Sequence, residues 1–315
     1  MQALSILNTN LQHQIDIKKL LFKWHDYLDV APKTIETYTK NTRAFLRWLA
    51  EKNITSPERQ HIKLYKSELK EKYKPNTVNA YLIAVKQFFK WSEEEGLYPN
   101  IAKGIKLIAL DEAYKKDYLS SLQVKGLLEI IDTSSLTGLR DYAICALMAT
   151  TGLRTISIIK ANIEDLRTVG EYTALYYEGK GHNEKTNYVK IAPQVEKAIR
   201  AYLAKRGAVQ GKSPLFTSAA NRNNGERMTT RSISRIAKQA LVNAGFCSEK
   251  YTAHSFRHTA GTIALRNNVN ITEVQKMLGH KNIIPTLIYA HAIDREKNNT
   301  EIIISNSIFN AEQGG

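Results

Sequence analysis

Cysteine is nearly absent from this chain. Only Cys145 and Cys247 are present, too few for a disulfide framework or a cysteine-built metal site. Both stand among apolar neighbours, Ala143-Ile144-Cys145-Ala146-Leu147 and Gly245-Phe246-Cys247, a setting that predicts small core hydrophobes rather than reactive thiols. No apolar run approaches the ~18 residues of a membrane span, and the N-terminus lacks the sustained apolar stretch of a signal peptide. Internal repeats and low-complexity tracts are missing as well. These absences set aside disulfide scaffolds, membrane spans and repeat arrays, and the expected location is the cytoplasm.

Acidic residues are also in deficit. Thirty Asp and Glu stand against 45 Lys and Arg, a net charge of +15, and the pI is near 9.6. Such an excess points to a polyanionic partner, because neutralised phosphates release counterions and that release drives association. Forty-three per cent of the residues are hydrophobic, so the chain is globular rather than a basic tail. Its 315 residues suffice for two domains, each with its own core.

The first hundred residues read as helical. Ile35, Tyr38, Thr42, Phe45, Leu46 and Leu49 recur at helical spacing, as do Val78, Leu82, Val85 and Phe89. Pro75-Asn76 opens the second of these helices, with Asn76 as its expected cap. Lys33, Lys40, Arg43, Lys86 and Lys90 fall on the opposite faces, and Lys63, Lys66, Lys70, Lys72 and Lys74 on the connecting stretch. A solvated helix surface would account for a few of them. Their recurrence across the region makes a phosphate-facing side the expectation, with Lys33, Lys40, Arg43, Lys86 and Lys90 as its contacts to a nucleic-acid backbone.

Periodicity lapses from about Ile101 to Asp117, around Gly104, as in a linker. The expected division is a helical N-terminal domain over 1–103, a linker over 104–117 and a second domain over 118–315. Ser120-Ser121-Leu122-Gln123 has the form of a capping box, and the helix near Leu139–Thr151 ends at Gly152, a natural C-cap. Tyr172–Glu178 and Thr186–Ile191 are short β-rich runs around Gly179-Lys180-Gly181, hence a hairpin or small antiparallel sheet. Helical patterns return over Gln194–Lys205, Arg231–Ala244, His254–Arg266, Ile271–Leu278 and around Pro285–Ala290. The expected fold class is mainly α, with a mixed α+β second domain.

Chemistry gathers in that second domain as an ordered set: Thr151-Gly152-Leu153-Arg154, Gly179-Lys180-Gly181, His254-Ser255-Phe256-Arg257-His258-Thr259, Leu278-Gly279-His280, then Tyr289, nine residues after His280. No member is decisive alone. As a set, the chain resembles the tyrosine recombinase (phage integrase) family, in its compact two-domain Xer-like or mobile-element form. The resemblance extends to the N-terminal helices, where Thr34-Ile35-Glu36-Thr37-Tyr38 and Phe45-Leu46-Arg47-Trp48 are similar to the family's core-binding domain.

The residue types suit such chemistry on their own terms. Cutting and rejoining a DNA backbone without an energy cofactor needs an intermediate that keeps the phosphodiester energy. A phenol, with a pKa of about 10, can form that ester once its proton is removed. Guanidinium forks at Arg154 and Arg257 suit the non-bridging oxygens of a phosphate and the added charge of its transition state. The resemblance implies Tyr289 as nucleophile, a 3′-phosphotyrosine link, and Lys180 as the acid that protonates the departing 5′-oxygen. Lys185 is a rival for that role. The resemblance further implies that His254 assists proton transfer around Tyr289 and that His280 donates to the phosphate. His254 and His258 stand four apart, yet the intervening Ser-Phe-Arg offers no acid and its Arg repels a cation. No metal or other cofactor is expected.

Two positions depart from the family pattern. Ser157 stands where many members carry an acid, and Asn268 stands where a glycine is usual, although Asn tolerates the left-handed backbone of that turn. After Tyr289, the apolar cluster Ile302, Ile303, Ile304, Ile308 and Phe309 reads either as a core helix of its own protomer or as a segment that docks on a neighbour. The resemblance implies the second, in a homotetramer on double-stranded DNA bearing an inverted-repeat core site, acting through a Holliday junction, with accessory DNA-bending proteins as candidate helpers and the nucleoid as the place of action. Two other functions stay open: a type IB topoisomerase-like nicking and closing enzyme, and a DNA-binding protein without catalysis.

Overall fold

A computed structural model describes residues 12–110, 117–179, 184–207, 210–220 and 224–309. The chain forms two compact units that divide between Glu112 and Ala113.

The first unit contains α1 (Gln12–Tyr27), α2 (Pro32–Glu51), α3 (Arg59–Lys72) and α4 (Pro75–Glu94). Helix α2 buries Phe45, Leu46, Trp48 and Leu49, and α4 buries Val78, Leu82, Val85 and Phe89, the apolar stripes that the sequence spacing predicts. Asn76 does not cap α4. Lys74 is the N-cap residue and Pro75 opens the first turn, where a ring that fixes φ and lacks an N–H costs nothing. Residues 104–108, expected in the linker, are held to this unit. Asn79 makes paired hydrogen bonds to the Ile108 peptide, its amide donating to the carbonyl at 2.9 Å and its carbonyl accepting from the N–H at 2.8 Å.

The second unit starts at the predicted capping box. Ser120 accepts from the Gln123 N–H, and Gln123 accepts in return from the Ser120 N–H, opening α5 (Ser121–Glu129). Helix α6 (Leu136–Thr151) runs through the core and stops at Gly152 with φ of +63°. Helix α7 (Thr155–Lys160) follows at once. The sheet has one more strand than the β-rich runs indicate: β1 (Leu166–Val169), β2 (Tyr172–Tyr177) and β3 (Asn187–Ile191) are antiparallel in that order. On the sheet's outer face, Tyr176 packs against Tyr188, Arg167 lies over Tyr176 and Lys190 over Tyr172. The inner face adds Leu175, Tyr177, Val189 and Ile191 to the core.

Helices α8 (Pro193–Arg206), α9 (Thr230–Asn243), α10 (Ala253–Arg266), α11 (Ile271–Leu278) and α12 (Ile284–Lys297) match the predicted positions within a residue or two, except that α12 runs a further two turns. Asn268 takes φ of +60°, so the turn before α11 is kept without glycine. Helix α13 (Thr300–Phe309) has no buried residue; Ile302, Ile303, Ile304, Ile308 and Phe309 are all exposed. Cys145 is a core residue as expected, but Cys247 is exposed, because the turn after Gly245 carries it out of α9 before α10 begins. No helix among the described residues is long and apolar enough to cross a membrane.

Candidate active site

Arg257 lies on α10 and is 3 % exposed, an unusual place for a guanidinium with no carboxylate partner among the described residues. Two helix ends explain it. Its Nη1 donates to the Gly152 carbonyl at the end of α6 (2.8 Å) and its Nη2 to the Leu278 carbonyl at the end of α11 (2.5 Å). Helix C-termini carry unsatisfied carbonyls and partial negative charge, so the cation joins two elements that would otherwise repel. The junction is tight. A Cβ on Gly152 would come within 2.5 Å of the Leu278 Cδ2.

Arg154 is the N-cap residue of α7, two residues beyond Gly152, and among the described residues it too has no carboxylate partner. Its charge, after burial, is the main influence that lowers Arg257 to about 10. Two guanidiniums within electrostatic reach of one another, with no acid bonded to either among the described residues, suit an anion. They share an open cleft of about 770 Å³ with His254, Lys238, Tyr251 and Cys247. Lys238 is spent on architecture, donating to the carbonyls of Cys247, Ser248 and Tyr251. Ser157 is buried in the first turn of α7, its N–H bonded to the Arg154 carbonyl.

Tyr289, on α12, is 3 % exposed and packs with Val274 and Leu278 of α11. Its ring lies against Gly261 of α10, where a Cβ would sit 3.0 Å from both Cδ2 and Cε2. Burial raises its pKa, while Arg257, Arg154 and a hydrogen bond donated by Arg257 pull it down. Burial prevails, so in the free protein the phenol is protonated at neutral pH and attack requires a base. Imidazoles surround it. The His258 ring meets it edge-on at 5.1 Å, His254 meets His258 at 4.8 Å, and the His280 ring lies near-parallel to it at 6.4 Å. His280 Nδ1 pairs with the Thr286 hydroxyl at 2.8 Å, and burial, then Arg257, Arg154 and His254, lowers His280 to about 4. A Thr286 hydroxyl that donates to Nδ1 leaves the ring proton on Nε2, free to donate to an anion. Among the described residues no cluster of three or more His, Cys, Asp or Glu could hold a metal ion.

Five of the six residues of the ordered set, Arg154, Arg257, His254, His280 and Tyr289, thus lie in one neighbourhood. A model described as the phage integrase family matches residues 117–296, and one described as the phage integrase N-terminal SAM-like domain matches 21–97. The chain belongs to the phage integrase family. It is a tyrosine-type recombinase, a class that cleaves and rejoins DNA at specific sites. It is 28 % identical over 275 residues to the tyrosine recombinase XerD of Lacticaseibacillus casei, covering 84 % of this chain and 91 % of that one. It is 35 % identical over 182 residues to a tyrosine recombinase XerC of Caldanaerobacter subterraneus, covering 57 % of this chain and 48 % of the relative. The fold is that of XerH site-specific recombinase bound to a palindromic difH substrate (TM-score 0.73, 19 % identity, 93 % of this chain and 84 % of that one). It is also that of the Tn1549 transposon integrase with transposon right end DNA (TM-score 0.67, 18 % identity, 87 % and 94 %).

Lys180, the expected acid of this recombinase, lies outside the described residues. Its rival Lys185 is described, and its Nζ is bound at 2.5 Å to Asp165, a carboxylate 2 % exposed. Of the lysines expected to face DNA, Lys33 pairs with Glu36, Lys90 with Glu94, and Lys86 donates to the Ile105 carbonyl. Arg43 and Lys40 lie on α2, away from its buried stripe. Two residues beside the arginines and the tyrosine escaped the sequence reading. His258 was weighed only as a metal ligand, although its place one helical turn after His254 puts both on one face. Tyr177 carries no spacing signal at all.

Proposed function

We propose that this recombinase cuts one DNA strand by attack of the Tyr289 Oη on a phosphodiester held between Arg154 and Arg257. The Oη–P bond forms as the P–O5′ bond breaks. The phenol proton leaves through the imidazoles at His254 and His258, and Lys180 supplies a proton to the departing 5′-oxygen. The product is a 3′-phosphotyrosine and a free 5′-hydroxyl, which a second strand reverses by the same path. The observation that carries this reading is the buried Tyr289 hydrogen-bonded to Arg257, beside a second guanidinium with no carboxylate partner among the described residues. Engagement of Lys185 by Asp165 favours Lys180 as the acid. Exposure of the apolar residues of α13 supports exchange of this helix between protomers of a DNA-bound homotetramer. The substrate is double-stranded DNA with an inverted-repeat core site, exchanged through a Holliday junction. Accessory DNA-bending proteins and a nucleoid location belong to the same reading.

A nicked suicide substrate, which loses its 5′-hydroxyl by diffusion, traps the covalent adduct. Tyr289→Phe abolishes the adduct and keeps DNA binding. Adduct formation by that variant refutes the nucleophile. The Ser157 departure favours an enzyme of a mobile element. The Xer-type names of relatives that match along most of the chain favour resolution of chromosome or plasmid dimers. Recombination between sites flanking the encoding gene supports the first, and action on a single chromosomal site the second.

A further inference from the structure

We propose that Tyr177 presents its hydroxyl to the scissile phosphate as a further donor, beside the Arg154 and Arg257 guanidiniums. This rests on the cleavage reading above and adds a catalytic residue to it.

Tyr177 ends β2. It lies on the inner face of the sheet, in step with Thr173 and Leu175, and its ring belongs to the core at 5 % exposure. A residue in that place needs no hydroxyl, and Phe or Val would fill the site. The hydroxyl reaches instead to the left-handed turn at Gly279, where a Cβ would lie 3.0 Å from the phenol oxygen. The carbonyl just before that turn, on Leu278, accepts from Arg257 Nη2. Phenol and guanidinium therefore approach adjacent residues of the same turn, Gly279 and Leu278. The charges that act on Tyr177 are Arg257 and Arg154, with no carboxylate among them.

Among the described residues the Tyr177 hydroxyl has no hydrogen-bond partner. A phenol held beside two cations is polarised toward donation, and the group that would accept from it there is an anion. The non-bridging oxygens of a phosphate seated on the two guanidiniums are that anion, and one more neutral donor stabilises their added charge in the transition state without repelling either arginine. Gly279 gains a reason beyond its φ of +61°, since any side chain there would crowd the hydroxyl.

The test compares Tyr177→Phe with the wild-type protein in single-turnover adduct formation on the nicked suicide substrate, with DNA affinity and thermal unfolding measured alongside. Phe keeps the ring in its packing and removes only the oxygen. The expected result is a loss of about 10–100-fold in rate at unchanged affinity and stability, the size expected for one hydrogen bond to a charged group. A second substrate carries a methylphosphonate at the scissile position, each stereoisomer assayed separately, so that one non-bridging oxygen is gone. On the isomer lacking the oxygen that Tyr177 contacts, the two proteins react within about 2-fold of one another, as expected when both partners of one interaction are removed. Equal rates on the ordinary phosphate overturn the proposal. An equal loss on the phosphate and on both methylphosphonate isomers also overturns it, because the hydroxyl would then act through packing. Absence of any adduct from the wild-type protein overturns the cleavage reading and this inference with it.

Discussion

Arg257→Lys separates the architectural role of this residue from its chemical one. The guanidinium binds the end of α6 through Gly152, the end of α11 through Leu278, and Tyr289 on α12. One planar group thus joins three helices and still keeps N–H donors for a phosphate. A lysine retains the charge but, as a compact ammonium on a flexible stem, cannot reproduce the fork that reaches both carbonyls. At least one buried carbonyl then loses its charged donor, and the tyrosine contact goes too. With charged hydrogen bonds at about 1.5–3 kcal/mol each, the loss is about 3 kcal/mol. For a unit of this size that lowers the unfolding midpoint by roughly 6–12 °C. The assay is thermal unfolding of the DNA-free protein, where no phosphate contact contributes. A midpoint within about 2 °C of the wild type would show that the helix ends hold together without the fork.

Four further outcomes follow from the same geometry. His280 titrates near 4 in the fold against about 6.5 in the unfolded chain, so the unfolded state takes up the proton first as pH falls. Its contribution is complete above about pH 6.5 and lost by about pH 4, some 1–2 kcal/mol after discounting for partial exposure; His280→Gln flattens the stability–pH curve in that window, and an unchanged slope counts against the assignment. Lys180→Ala slows adduct formation on ordinary DNA but not on a substrate whose 5′-bridging oxygen is replaced by sulfur, a leaving group that needs no proton. Lys185→Ala shows no such selective rescue, and finding rescue for Lys185→Ala instead would exchange the two roles. Asn79→Ala frees the peptide of Ile108 and costs about 1–3 kcal/mol; limited proteolysis between residues 104 and 110 becomes faster, and an unchanged rate would mean that the paired bonds hold nothing in place.

Much of this was legible in the sequence because it is local. The Ser120–Gln123 box, the stop at Gly152, the left-handed turn at Asn268 and the register of α11 each depend on a few adjacent residues whose backbone preferences agree. The grouping of the candidate site was legible for a different reason. Arg154, Arg257, His254, His280 and Tyr289 form an ordered set, and the structure brings these five into one neighbourhood. What escaped was whatever depends on a distant partner. The span from 104 to 108 has loop composition, and only the Asn79 side chain, far back on α4, reveals where it is held. That Lys86 donates to the Ile105 carbonyl is likewise invisible in its spacing. Cys247 has the neighbours of a core residue but follows a glycine that ends the helix. Tyr177 is one aromatic in a β-rich run, and nothing in its spacing announces the two arginines beside it.

The slot at Gly261 has a mechanical consequence. A ring packed within 3.0 Å of the place where a Cβ would be, with His258 at its edge and His280 at its face, is not re-aimed by turning about its own bonds. To change where the phenol points, α12 must move as a body. Only Asn298 and Asn299 separate that helix from α13, whose isoleucines face solvent. If α13 is exchanged between protomers as proposed, a neighbour that holds it acts on α12 through only these two residues, and so on where the Tyr289 ring points.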